Sequence, residues 1–275
     1  YNRKRKKKRD ELREKKYTEY LEQKQIEINK IMKYESQTLY DNNPSAQECF
    51  DNLIGMKNRL WEKEIADNDF LTIRVGTGNV PSSIKVNAPE EKFTLDPDGL
   101  IQRAHSIAKN AETLVNVPST ISLCENFISS IICSYPNSEA FINGIILQLI
   151  TLHNPKDLKI VFLTSKKNSY KWEYLKLIPH IYSDDKSIRY FSDDEDEAKK
   201  VLKEIDELYN SRKEEIKNAS QDINEEIEKT DYYKSFSPYY LIITDNYRKY
   251  KNLDFINKIT TFNKNIGFSL LILDN

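Results

Sequence analysis

Three short, nearly unbroken apolar runs constrain the fold of this 275-residue chain more than any other feature: Leu158 to Thr164, Tyr239 to Thr244 and Phe268 to Leu273. Each is too short for a buried helix and too continuously apolar for a strand with one wet face. Runs of this kind are strands covered on both sides, the pattern of a parallel sheet flanked by helices. Phe127 to Cys133 and Ile188 to Phe191 read as two further strands. Helical stretches alternate with them: Glu139 to His153, a long amphipathic run through Val201, Leu202, Ile205, Leu208 and Tyr209, and the residues around Phe255 to Phe262. The acid-rich opening Asp193 to Glu197 favours a helix start, because it opposes the positive end of the dipole. Strands alternating with helices predict an α/β fold with a doubly wound, mainly parallel sheet.

Charge excludes a membrane-embedded body. Charged residues make up 31% of the chain, and the longest apolar stretch, Phe141 to Leu152, is too short to span a bilayer and carries Asn143 and Gln148. Cys49, Cys124 and Cys133 lie far apart, which suggests neither a disulfide framework nor a zinc knuckle. His105, His153 and His180 are equally scattered, so no metal is expected. A sequence that opens on Tyr1 and breaks off within a strand-like run, Leu270 to Asn275, reads as a piece of a longer protein.

The net charge of −1 hides a strong segregation. Residues 1–16 hold ten Lys or Arg, among them Arg3, Lys4, Arg5, Lys6, Lys7, Lys8 and Arg9, against three acids. Such a block suits a solvated helix start, a nucleic-acid arm or a segment held at an anionic lipid surface. From Asp10 to Tyr40 there is no Gly or Pro, which predicts a long helix ended by Asp41-Asn42-Asn43-Pro44. Its apolar stripe, Tyr17, Leu21, Ile28 and Ile31, is thin, as in a stalk or a weak coiled coil.

Beyond Pro44 the pattern predicts a helix from Ser45 to about Asn58, with Ser45 and Glu48 spaced as a capping box. Gly76-Thr77-Gly78 reads as the loop of a hairpin whose second strand is Ile84 to Val86; no helix follows it, so it is not a phosphate loop. A helix from about Pro97 to Asn110 and a short strand, Thr120 to Leu123, come next. Glu214 to Asp231 is polar and reads as an excursion from the fold.

A strand ending at Cys133, a turn, a helix and a later strand ending in an acid is the layout of a P-loop ATPase. Aligned with the phosphate-loop pattern GxxxxGK[ST], however, Cys133 and Ser138 replace the glycines, Glu139 replaces the lysine and Ala140 the Mg-binding hydroxyl. Ser134, Tyr135, Pro136 and Asn137 fill the intervening positions. A carboxylate where an ammonium should meet the β and γ phosphates reverses the sign of the interaction. Leu241 to Thr244 followed by Asp245 resembles a Walker B strand, but Asn246 stands where a water-activating Glu belongs, and an amide is no general base.

The chain resembles the cytosolic region that follows the transmembrane helices in EssC/EccC-type proteins, the FtsK/SpoIIIE ATPases of type VII secretion. The resemblance rests most on Arg59-Leu60-Trp61-Glu62, Asp69-Phe70-Leu71 and Arg74-Val75-Gly76-Thr77-Gly78, with support from Lys171-Trp172-Glu173-Tyr174 and Leu177-Ile178-Pro179-His180. It implies a basic juxtamembrane arm and stalk over residues 1–43 and a degenerate ATPase-like domain over 44–275. That domain divides into a helix and hairpin lead-in, 44–116, and an α/β core, 117–275. The function implied is coupling between the membrane channel and downstream ATPase modules of the same protein, at the cytoplasmic face of the membrane, without catalysis or a cofactor in this segment. Implied partners are other channel components, an anionic lipid surface for residues 3–9 and further copies in the assembled machine, but not nucleic acid. An active or regulatory nucleotide-binding domain and a DNA-translocase accessory domain are the competing readings. Asp245 is expected to be a relic of the fold whose change to Asn leaves stability unaltered. Trp61 and Trp172 are expected to be core anchors.

Overall fold

The computed structural model describes residues 2–56, 59–90, 99–132, 137–221, 231–262 and 264–274. They form two compact units. One contains Tyr1–Asn43 and Arg74–Thr120; the other contains Pro44–Ile73 and Ile121–Asn275. This division parts the 44–116 lead-in of the sequence reading at residue 73.

In the first unit, helix α1 (Asn2–Asn42) takes in the basic arm as well as the expected stalk. Its buried seam is not quite the one read from the sequence. Leu21 and Ile28 are buried, Tyr17 and Met32 pack beside them, and Ile31 faces solvent. Spacings of four, seven and four keep the seam on one helical face, whereas Ile31 falls about 100° from Met32. The partner is a helix of the same chain, α3 (Leu100–Asn110), through Ala104 and Ile107, with Ala111 just past its end. The stripe is thin because small alanines face it. At the far end of α1 the Glu35 carboxylate accepts from Ser82 Oγ at 2.7 Å and from the Ser83 amide at 2.8 Å. The Tyr40 hydroxyl donates to the Asn116 carbonyl at 2.7 Å, and Arg74 stacks over the Tyr40 ring.

The small antiparallel pair expected beside the main sheet is present, but its connection and its second strand are corrected. Gly76-Thr77-Gly78 lies inside one continuous strand, β1 (Thr72–Pro81), and the paired strand is β2 (Thr113–Ser122), which absorbs most of the expected 120–123 strand. Ile84 to Val86 forms no strand. A tight two-residue hairpin needs backbone with φ above zero, and the glycines that adopt it are Gly99 and Gly267, not Gly76 or Gly78. The ribbon is antiparallel: the Leu123 amide bonds the Leu71 carbonyl and the Ser82 amide bonds the Glu112 carbonyl.

In the second unit, α2 (Ala46–Ile54) starts on the expected capping box, Ser45 with Glu48. The body is a five-stranded parallel sheet in the order β3-β7-β6-β4-β5. These strands are β3 (Ile128–Ile132), β4 (Leu158–Leu163), β5 (Phe191–Ser192), β6 (Tyr239–Thr244) and β7 (Phe268–Asp274). Every residue of β4 and β6 is buried. The crossovers include α4 (Asn137–Leu152), α5 (Glu195–Gln221), the short α6 (Tyr247–Tyr250) and α7 (Asp254–Thr261). The doubly wound α/β reading therefore holds.

Two readings in this unit change. The third strand is shorter than expected: Tyr190 bonds Ile181 through its amide and Phe162 of β4 through its carbonyl, and Phe191 and Ser192 are the residues in register with β4. The polar stretch after Glu214 is helical as far as Gln221, since Arg212 and Ile216 on that helix are buried; residues 222–230 lie outside the described part.

Candidate functional site

Parallel strands present their carboxyl ends along one edge, where α/β proteins bind ligands. Here that edge carries Thr164 after β4, Asp245 after β6 and the start of α4 after β3. Between β4 and β5 the chain makes three successive 3-10 turns, Ser169–Lys171, Glu173–Leu177 and Pro179–Ile181.

Asp245 is the centre of this edge. Its Oδ2 accepts from Trp172 Nε1 at 2.9 Å, Thr164 Oγ1 at 3.0 Å and Asn168 Nδ2 at 3.2 Å. Its Oδ1 is buried with no partner among the described residues. The Trp172 indole is only 3% exposed and packs on Phe162 of β4 with ring centroids 4.8 Å apart. Asn246 turns its backbone amide back to Thr244 Oγ1 at 3.1 Å. These bonds argue that Asp245→Asn would destabilise the fold, where the sequence reading expects no effect. Three donors, two of them buried, converge on one carboxylate oxygen, and an amide presents one carbonyl oxygen without the charge that strengthens those bonds.

Glu139, which stands at the position of the phosphate-binding lysine, forms an ion pair with Lys171 from the first 3-10 turn. One turn further along α4, Asn143 accepts from the Tyr174 hydroxyl. Ser138 is buried and Ala140 is exposed with no hydroxyl to offer. Asn137 opens α4, while Cys133, Ser134, Tyr135 and Pro136 lie outside the described residues. The structure therefore brings Glu139 and Asp245 each onto the same short segment, 168–174. The sequence reading used Lys171 as a mark of resemblance and Trp172 as that and as a core anchor, which its burial bears out, but did not see either as a partner of the two motif positions. The only available signal was the reversal of charge at 139, which calls for a cation nearby.

The motif residues 59–71 have a different task. Trp61 is 45% exposed, so it is not the core anchor expected, but its Nε1 donates to the Ile150 carbonyl at 3.2 Å and its amide bonds the Thr151 carbonyl. Phe70 and Leu71 are fully buried. The Leu71 amide donates to His153 Nε2 at 3.1 Å, while His153 Nδ1 donates to the Leu149 carbonyl at 2.9 Å. Burial, reinforced by the nearby Lys63 charge, pushes His153 down to about 3, so the ring is neutral and able to accept. His180 bonds the His153 carbonyl at 2.8 Å, and burial lowers it to about 4. His153 thus fastens the 59–71 strap, and His180 the 179–181 turn, to the end of α4. Among the described residues no group of His, Cys, Asp and Glu has the geometry to hold a metal ion.

At the N-terminus, Arg3 to Arg9 are all exposed on α1. A step of 100° per residue spreads these seven consecutive cations around the whole circumference of the helix. Among the described residues no helix is long and apolar enough to cross a membrane.

No family model matches the chain. It is 26% identical over 268 residues to the ESX secretion system protein EccC of Geobacillus thermodenitrificans, covering 96% of this chain and 17% of that protein. It is 27% identical over 217 residues to the type VII secretion system protein EssC of Staphylococcus aureus, covering 79% and 14% respectively. Among solved structures it is similar to EssC (ATPases 2 and 3) of Geobacillus thermodenitrificans with a TM-score of 0.44 and 14% identity, over 79% of this chain and 36% of that one. The chain spans less than a fifth of the length of these curated relatives. It is similar to the EccC and EssC proteins of type VII secretion, over nearly its whole length for the first and over about four-fifths of it for the second.

Proposed function

We propose that this chain is the membrane-proximal cytosolic segment of a type VII secretion motor, coupling the membrane channel to ATPase modules further along the same protein while hydrolysing no ATP itself. The observation that carries this reading is the use made of Glu139 and Asp245. The first is paired with Lys171 and the second is held by Trp172, Asn168 and Thr164. A group committed to its own chain in this way is poorly placed to organise Mg and a triphosphate, which need an open carboxylate, a hydroxyl and a cation. Asn246 supplies no base and Ala140 no hydroxyl. Partners in this reading are other channel components, and the segment lies at the cytoplasmic face of the membrane.

The test is affinity isolation of the parent protein from membranes with and without residues 44–275. Loss of channel components on deletion, with parent ATPase activity retained, is the expected outcome. An unchanged set of partners would overturn the coupling role.

The basic arm supports the membrane-proximal placement. Each basic residue near an anionic leaflet contributes about 1 kcal/mol. The chain should float with vesicles containing anionic lipid and release as salt screens the charge. Equal binding to neutral and anionic vesicles would exclude this role for Arg3 to Arg9.

A further inference from the structure

The segment 168–174 makes four side-chain contacts with the degenerate site, two to the residue after β6 and two to α4. Asn168 and Trp172 both donate to Asp245 after β6. Lys171 pairs with Glu139 in the first turn of α4, and the Tyr174 hydroxyl donates to Asn143 one turn on. The segment is itself anchored at its root, where the Asn168 and Ser169 amides bond the Ser165 carbonyl at 2.9 and 2.8 Å. Trp172 is buried, whereas Tyr170 two residues earlier is 72% exposed, so the segment turns Lys171 and Trp172 into the site and Tyr170 out to solvent.

We propose that residues 168–174 are a built-in plug of the degenerate nucleotide position, in which Lys171 is the cation that neutralises Glu139 and Trp172 is the ring seated on Asp245. The proposal rests on the reading of the site as degenerate and adds what keeps it shut.

The chemistry explains why the two changes belong together. A glutamate at the lysine position would leave two carboxylates, Glu139 and Asp245, on one strand-end edge with no cation between them. Like charges on such an edge repel and would attract a cation from solvent. Lys171 removes the first charge from consideration. The indole N–H, the Asn168 amide and the Thr164 hydroxyl all donate to one oxygen of the second and crowd its two lone pairs. Phe162 beneath Trp172 supplies an apolar floor, so the ring has a seat independent of the hydrogen bond. The plug thus joins α4, β4 and β6 at the edge where a bound ligand would otherwise join them.

The experiment reads the plug through Trp172 fluorescence in the full chain carrying Trp61→Phe, which leaves Trp172 as the sole tryptophan. Acrylamide quenching should be weak in that background. It should rise several-fold in Lys171→Glu, with far-ultraviolet circular dichroism unchanged, and return to the starting value when Glu139→Lys is added. The double reversal separates a plug from a generally weakened fold, because only a direct pair is restored by exchanging its charges. Asp245→Ala should also raise quenching several-fold. Quenching unmoved by both Lys171→Glu and Asp245→Ala, or no rescue by the reversed pair, would overturn the plug while leaving the degenerate reading intact. Mg-ATP binding by the unaltered chain would overturn both.

Discussion

The two ends of the five-stranded sheet each hold a charged side chain out of bulk water, and they hold it by different means. At the amino end, Arg212 of α5 is 3% exposed and donates to three backbone carbonyls: Pro238 at 2.7 Å, Ile266 at 3.2 Å and Gly267 at 3.4 Å. Phe236 and Phe268 face its guanidinium. Burial lowers its pKa only to about 10, so it stays charged at neutral pH. At the carboxyl end, Asp245 is held by three side chains, two of them from the 168–174 turn. A charge satisfied by backbone is tied to the fold itself; a charge satisfied by a turn depends on that turn staying down. Only the second arrangement can open without unfolding the sheet, which is why the plug belongs at the carboxyl end.

The largest expected effect sharpens this contrast. Arg212→Ala orphans three carbonyls and the facing rings, and should cost about 3–5 kcal/mol in a urea titration followed by circular dichroism. Gly267→Ala should cost roughly 3 kcal/mol on the same scale. Its φ is +92° and a Cβ there would sit 2.3 Å from Arg212 Nη1. Asp245→Ala should cost less globally, about 2 kcal/mol, because the freed turn can lift and find water. If Asp245→Ala proves as damaging as Arg212→Ala, the two ends are equally rigid and the contrast fails.

The next effect is acid sensitivity, which belongs to the amino end. His153 and His180 sit just ahead of β4 and next to its neighbouring turn, with folded values of about 3 and 4 against 6.5 for free histidine. Burial is the main cause for each; Lys63 and Lys159 respectively add to it, and carbonyl bonds oppose it. The unfolded chain takes up these protons first, so stability is fully present above pH 6.5 and falls as pH drops toward 3. The slope reaches at most about 1.4 kcal/mol per pH unit for each histidine. His153→Gln, whose amide can accept from Leu71, should flatten the curve of folding stability below pH 6.5. A curve unchanged by that substitution would remove His153 from the account.

Much of the fold was legible because burial leaves a direct mark on sequence. Continuous apolar β4, β6 and β7 announce a parallel sheet, and Ser45 with Glu48 announces a helix start. What was not legible depends on partners distant in sequence. Nothing local distinguishes Gly76 and Gly78 in a strand from the same residues in a turn until β2, more than thirty residues on, pairs with them. Met32 replaced Ile31 in the seam because α3 fixes which face of α1 is covered. At the site, the substitutions at 139, 140 and 246 were plain from sequence. The compensating Lys171 and Trp172 were hidden because 3-10 turns of three and five residues are too short to show a period that would place them.

The smallest effect concerns the plug's own ion pair. The Lys171 and Glu139 side chains are 23% and 36% exposed, so solvent screens their attraction, and Lys171→Ala should cost no more than about 1 kcal/mol. A much larger loss in thermal melts would mean that the pair carries the local fold and is not a latch.

The most direct test of the central claim is titration calorimetry of the 275-residue chain with Mg-ATP. The account predicts no heat beyond dilution, with or without magnesium, because Glu139 and Asp245 are already engaged by Lys171 and Trp172. Mg-dependent binding in the micromolar range, abolished by Asp245→Asn, would contradict it.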